Sequence, residues 1–275
     1  MQKNELKIAF IGGGNMAAAL IGGLAGKLTA AGNIHIVDID ADALARLRQR
    51  FGVQTAAAAD AEIAGSDVIV LAVKPQQMKQ VVAQLRPYVG AQLVLSIAAG
   101  IRAADLSRWL GGHDAIVRAM PNTPALIGRG VTGMVASAGV RAAQREAADA
   151  ILRAVGETVW LDDESLIDAV TAVSGSGPAY VFYFLEAMQQ AACEMGLTVA
   201  QGNALAIATF AGAAQLAAQS DEPVAVLRER VTSKGGTTYA ALASMEQSGV
   251  KEAIIRAMKA AAERGRELGD EFGRI

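Results

Sequence analysis

A single cysteine, Cys193, is the only thiol in a chain of 275 residues. A disulfide framework within one chain is impossible, which excludes a stapled extracellular scaffold and suits a reducing cytoplasm. Cys193 lies in an apolar helical pattern with Met188, Ala192 and Met195, so it reads as a small buried hydrophobe. Histidine is nearly as scarce: His35 falls in or beside an expected strand and His113 in a Gly111-Gly112 turn. Both read as structural or solvated, and no metal is expected. Neither sign of charge is in surplus, and a formal net charge of −2 gives no support to nucleic-acid binding. Met1-Gln2-Lys3-Asn4-Glu5 runs directly into a strand pattern, so a cleavable signal peptide is not expected. Leu197 to Ser220 carries no charge, but it is mostly alanine with Gln201, Asn203, Gln215 and Gln219. Alanine anchors poorly in a bilayer, so the stretch is expected to be a helix buried in protein rather than a membrane span.

Aromatics are 4% of the residues while hydrophobic residues are 52%. The surplus is alanine, valine, isoleucine and leucine, which fits α/β packing and is large for a monomer to bury. Short β-branched runs alternate with alanine-rich helical runs through the first half. Strands are expected at 6–11, 34–37, 53–55, 68–72, 93–97 and 115–119, with helices at 15–30, 41–51, 76–86 and 103–110. Strands apolar throughout and separated by helices indicate a doubly wound parallel sheet covered on both faces, a Rossmann-type fold. Two further strands, 132–136 and 158–161, flank a helix at 140–154 and are expected to extend the sheet edge. From Glu164 onward nearly everything reads as helix: 164–173, 178–195, 199–219, 224–231, 238–247 and 251–268. A boundary near Asp162–Asp163 follows, giving a dinucleotide-binding domain over 1–162 and an all-helical domain over 163–275. The helix opened by Pro178 is apolar on more than one face, so its second surface could belong to another subunit.

Ile11-Gly12-Gly13-Gly14-Asn15-Met16-Ala17 follows the first strand and opens the first helix. It matches G-x-G-x-x-A: Gly12 permits the tight turn, Gly14 admits a pyrophosphate to the backbone, and Ala17 allows close helix–strand packing. Asp38, at the end of the second strand, stands where an acid accepts hydrogen bonds from the adenosine ribose, which favours NADH over NADPH. Asp38 or Asp40 could instead simply cap the helix that follows. Loops at the carboxyl ends of strands line the cleft of an open α/β sheet. Ala72-Val73-Lys74-Pro75 is therefore expected beside the cofactor, as is Ser96-Ile97-Ala98-Ala99-Gly100, whose small residues let a dinucleotide pass closely. Met120-Pro121-Asn122-Thr123-Pro124 is stiffened by two prolines and fixes Asn122 for a nicotinamide or substrate, or for a purely structural turn.

Val231-Thr232-Ser233-Lys234-Gly235-Gly236-Thr237-Thr238 is a second glycine loop, just before a helical pattern of Tyr239, Leu242 and Met245. Such a segment leaves backbone N–H groups unpaired at the positive end of a helix, a site for a carboxylate or a phosphate. Ser174-Gly175-Ser176-Gly177-Pro178-Ala179-Tyr180 opens another helix, with Ser176 a fair N-cap.

Together with Arg118-Ala119-Met120-Pro121-Asn122-Thr123-Pro124, these segments resemble pyrroline-5-carboxylate reductase, in that family's order and over nearly the whole chain. The resemblance implies hydride transfer from NADPH or NADH to the C=N bond of 1-pyrroline-5-carboxylate, giving L-proline. It also implies a helical domain interleaved with its partner in a homodimer, with dimers assembling into larger rings such as a decamer. Ser233, Gly236, Thr237 and Thr238 would bind the substrate carboxylate, and Glu164 would lie near the substrate. Thr238 is the hydroxyl expected to hydrogen-bond the imine nitrogen. The chain departs from the family at Lys234, where proline is common, and at Asp38 and Asp40, where NADPH-preferring members carry small hydroxyl or basic residues. Two other readings stay open on sequence alone: another imine or hydroxyacid reductase, and a non-catalytic dinucleotide sensor with no need of Ser233 to Thr238.

Overall fold

The computed structural model describes Glu5–Arg274; the start at Met1–Asn4, read above as running into a strand, lies outside the described residues. An eight-stranded sheet forms from β1 (Ile8–Ile11), β2 (Ile34–Val37), β3 (Gln54–Ala56), β4 (Val68–Leu71), β5 (Leu93–Ser96), β6 (Ile116–Met120), β7 (Gly130–Ala136) and β8 (Gly156–Trp160). Its order is β3-β2-β1-β4-β5-β6-β7-β8, parallel throughout except where β7 runs antiparallel to β6. The first six strands make the doubly wound arrangement expected, and the two later strands extend one edge.

Helices α1 (Asn15–Leu24), α2 (Ala41–Phe51) and α5 (Ala142–Arg153) supply apolar side chains to one face of the sheet. Helices α3 (Pro75–Leu85) and α4 (Ala103–Trp109) supply the other. Alternation along β1 shows why both faces close. Ile8 and Phe10 join Leu20, Ile21 and Ile151 in one layer, while Ala9 and Ile11 join Met78, Val82 and Leu106 in the other.

Three elements differ from the expected bounds. Helix α1 stops at Leu24, not Ala30, because Gly26 turns left-handed and Thr29 donates its hydroxyl to Leu6 O at 2.7 Å, drawing the chain back to the sheet. The expected helix at 164–173 is broken into a 3₁₀ turn (Glu164–Leu166), one turn of α6 (Ile167–Val170) and a π turn (Thr171–Gly175). The Thr171 hydroxyl donates to Ile167 O and the Ser174 hydroxyl to Val170 O, a back-bonding that competes with the α-helical ladder. The final helix runs to Arg274 rather than Leu268.

The chain divides into two compact units. One holds the described residues to Ser176 together with those from Ala260 onward; the other is Gly177–Lys259. The second unit consists of α7 (Gly177–Glu194), α8 (Val199–Ala218), α9 (Val224–Arg230), α10 (Thr237–Gln247) and the start of α11 (Val250–Arg274). Helices α7 and α8 approach closely at Gly202, where a Cβ would lie 2.9 Å from that of Ala192, and Phe184 stacks near Phe210. Among the described residues of α7 to α10, only Ala192, Gly202 and Ala206 are buried. Phe182, Tyr183, Leu205 and Leu216 are each at least 57% exposed, so within one chain this unit covers little of its own apolar surface.

Asp149 ties α5 to the sheet edge. Its carboxylate accepts from the Thr158 hydroxyl at 2.7 Å, the Trp160 indole at 3.1 Å and Arg153. Burial pushes this carboxyl up, but the three hydrogen bonds outweigh burial and hold it below the ordinary 3.8. The stability that follows is present above that value and is lost as pH falls through the depressed one. Asp149→Asn should therefore destabilise the protein at neutral pH, with the gap to wild type narrowing as both are unfolded in urea at progressively lower pH. A gap unchanged by acid would count against this account.

Candidate active site

Gly12 is held at φ +103 with its backbone against β4: a Cβ there would sit 2.6 Å from the Ala72 carbonyl oxygen. Its N–H donates to Val37 O at 2.8 Å, fastening the loop to β2. Gly13 N–H donates to Asp38 Oδ2 at 2.6 Å, and Asp40 N–H donates to Asp38 Oδ1 at 2.9 Å. Asp40 caps α2 by accepting from the N–H groups of Asp42 and Ala43. The two acids thus do different work: Asp40 is the helix cap, and Asp38 is turned toward the glycine loop. Gly14 is the N-cap of α1 without a side-chain cap, and a Cβ on it would meet nothing within 4 Å. The N–H groups of Asn15, Met16 and Ala17 open α1 with no intrahelical acceptor and no side-chain cap, the kind of donors a pyrophosphate needs.

A cleft of about 500 Å³ lies where the strand order reverses between β1 and β4. Ile11, Gly12, Gly14, Asp38, Ala72, Val73 and Lys74 all line it, so most of the residues expected beside a dinucleotide share one cavity. Ile39, Ala57 to Ala59, Gln77, Gln80 and Gln84 line it too and were not anticipated. Gln77, Gln80 and Gln84 recur at helical spacing along α3, and that stripe of neutral amides was the available signal.

Ala99 and Asn122 lie on the neighbouring loops after β5 and β6 and do not line this cleft. Asn122 is buried and its amide braces the protein: Oδ1 accepts from Val131 N–H at 3.0 Å and Nδ2 donates to Ser174 O at 3.2 Å. Glu164 Oε1 accepts from Ala103 N–H at 2.8 Å and from Arg118 Nη1 at 3.1 Å, leaving Oε2 for any further partner. Arg118 is 3% exposed, its Nη2 lies 3.9 Å from Asp168, and its Nε has no hydrogen-bond partner among the described residues. Burial pushes the Asp168 carboxyl up, with Arg118 and Arg102 pulling against it. Arg118 therefore holds two carboxylates at the carboxyl end of the sheet.

In the second unit, Gly235 is left-handed (φ +76) and Gly236 N–H donates to Ser233 O at 3.0 Å. Gly236 is the N-cap of α10, with no side-chain cap. Ser233, Thr237 and Thr238 are exposed, and their hydroxyls have no hydrogen-bond partner among the described residues. The loop presents bare backbone donors and free hydroxyls together at a helix start.

Residues 164–268 match a family model described as pyrroline-5-carboxylate reductase dimerisation. A pyrroline-5-carboxylate reductase of Pseudomonas aeruginosa is 47% identical over 97% of this chain and 98% of its own length. The chain belongs to the pyrroline-5-carboxylate reductase family. Residues 7–100 match a model described as NADP oxidoreductase, coenzyme F420-dependent. Among solved structures, a pyrroline-5-carboxylate reductase from Coxiella burnetii is 39% identical with a TM-score of 0.90, covering 96% of this chain and 99% of that one. The Plasmodium falciparum pyrroline carboxylate reductase, solved with NADP bound, is 28% identical with a TM-score of 0.87, covering 97% and 99%. Family membership carries the fold, an NAD(P)H-dependent reductase, and a helical dimerisation domain in which the exposed apolar faces of α7 and α8 have a use.

Gly12→Ala would force a left-handed alanine against the Ala72 carbonyl. The expected outcome is a folded protein whose dinucleotide affinity, read by NADH fluorescence titration, falls by about an order of magnitude or more. Undiminished affinity would show that this loop does not carry the dinucleotide.

Proposed function

We propose that the two glycine loops serve one reaction, the reduction of the C=N bond of 1-pyrroline-5-carboxylate to L-proline. The chain is an NAD(P)H-dependent oxidoreductase of that family. The observation that carries the assignment of residues is the uncapped start of α10, where free N–H groups meet the unpartnered hydroxyls of Thr237 and Thr238. The Gly12–Gly14 loop already accommodates a pyrophosphate, which leaves the second loop for the substrate's carboxylate. A bound nicotinamide supplies two electrons as hydride. The protein's own residues supply orientation, the larger part of what an imine reduction needs. Ile11, Gly12, Gly14, Asn15, Met16, Ala72, Val73 and Lys74 hold the dinucleotide, with Ala99 and Asn122 shaping the loops beside its path. Ser233, Gly236, Thr237 and Thr238 bind the carboxylate. The Thr238 hydroxyl donates to the neutral imine nitrogen and passes it a proton as hydride arrives at the adjacent carbon. Glu164 contributes beside the substrate through Oε2 only, since Oε1 is committed to Arg118 and Ala103.

The functional division we favour runs 1–162 for the dinucleotide and 163–275 for substrate and dimerisation; the start of the dimerisation match at 164 supports it. A cytoplasmic location suits the lone free thiol of Cys193. No helix among the described residues is long and apolar enough to cross a membrane. Dimers of the chain would associate further into a larger ring, as the family resemblance implies.

Following dinucleotide oxidation at 340 nm with pyrroline-5-carboxylate tests the function. Thr238→Ala should lower kcat by about 10- to 100-fold with little change in melting temperature, while Thr238→Ser keeps most of the rate. Unchanged turnover in Thr238→Ala would remove this hydroxyl from the mechanism. An acid at the end of β2, as Asp38 is, would repel a 2′-phosphate on the adenosine ribose, so NADH should compete well with NADPH. Asp38→Ser should shift the ratio of kcat/KM toward NADPH by about tenfold. A large NADPH preference in the wild type would show that Asp38 does not reach the ribose.

A further inference from the structure

The loop between β5 and α4 is gripped by a segment more than 160 residues away in sequence. Gly100 is left-handed (φ +73), and a Cβ on it would lie 3.2 Å from both Leu268 and Phe272 of α11. Phe272 packs onto the core layer that contains Ala98 and Ile101. Gly265, Gly269 and Gly273 stand one turn apart along α11. A Cβ on each would meet Asp168 at 3.4 Å, Arg102 at 3.2 Å and Asp105 at 2.8 Å respectively. Removing those three side chains lets the charged groups lie flat against the helix. Arg102 Nη2 then pairs with Asp270 at 2.6 Å, and Arg108 Nη2 donates to Gly273 O at 2.9 Å. On the other side of the same loop, Glu164 accepts from Ala103 N–H.

We infer that the last turns of α11, through Phe272 and Asp270, are a positioning element for the dinucleotide: they set the backbone of Ala98–Gly100. Parallel strands β4 and β5 are neighbours, so this loop lies directly beside Ala72–Lys74 at the carboxyl ends of the strands. A dinucleotide anchored on Gly12–Gly14 must pass that edge to deliver its hydride. Neither Phe272 nor Asp270 lines the cleft, so both act through the loop. The inference rests on the dinucleotide assignment made above.

The test measures dinucleotide affinity directly, by NADH fluorescence titration of the full-length protein without imine, alongside both KM values. Phe272→Ala should weaken NADH binding about five- to tenfold and raise the dinucleotide KM in step. The pyrroline-5-carboxylate KM should stay within about twofold, and Phe272→Leu should restore most of the affinity. If Phe272→Ala does not fold, Asp270→Asn carries the test, because it removes the half-exposed pair with Arg102 without opening a cavity; it should weaken NADH about two- to threefold. Unchanged NADH affinity in a folded variant, or equal rises in both KM values, would overturn the inference. A wild type that binds NADH but does not reduce pyrroline-5-carboxylate would instead count against the reaction, because the binding readout needs no imine.

Discussion

The contact on which this structure turns is the missing side chain of Gly12 against the carbonyl of Ala72. Strand β1 is the central strand at which the order reverses, so its end must feed a helix and leave room for a ligand within a few ångströms. Ile11 O accepts from Ala72 N–H at 2.8 Å on one side, and Gly12 N–H donates to Val37 O on the other. With the loop pinned between β2 and β4, any Cβ at Gly12 collides with backbone, which cannot move aside as a flexible side chain would. From that pinned loop, α1 departs uncapped, Gly13 meets Asp38, and the cleft opens toward Lys74 and the glutamines of α3.

The helical unit is governed by a different constraint. It has an α7–α8 contact but almost no core, and the apolar residues it exposes are large. A unit that buries so little of its own apolar surface gains its stability by burying the rest against another chain. Helix α10 and its bare N-terminus belong to that unit, within the stretch that matches the family's dimerisation model.

Much of this was readable in the residues themselves. Strands β1 and β4 are apolar at every position because both faces are covered, and their observed ends lie within one or two residues of those the sequence implies. The fingerprint at Gly12 and Gly14 announced the cleft because backbone conformation, not a distant partner, sets its form. What was hidden depends on distant partners. The early stop of α1 follows from the Thr29 hydroxyl finding Leu6 O. The broken helix at 164–175 follows from hydroxyl back-bonding together with Asn122 reaching Ser174 O. Arg118 lay inside a quoted motif, yet its role as the holder of Glu164 and Asp168 needs a chain path that spacing does not contain. The division of work between Asp38 and Asp40 was likewise open until the cap was seen on Asp40.

The central claim is that the protein transfers hydride from a reduced nicotinamide dinucleotide to the C=N bond of 1-pyrroline-5-carboxylate. The most direct measurement is deuterium transfer: nicotinamide dinucleotide deuterated at C4 is oxidised by the protein with pyrroline-5-carboxylate, and the product is analysed by chiral chromatography and mass spectrometry. The account predicts L-proline carrying deuterium at C5, the former imine carbon, in proportion to dinucleotide consumed. Dinucleotide oxidation without labelled proline, or label at another carbon, would contradict it.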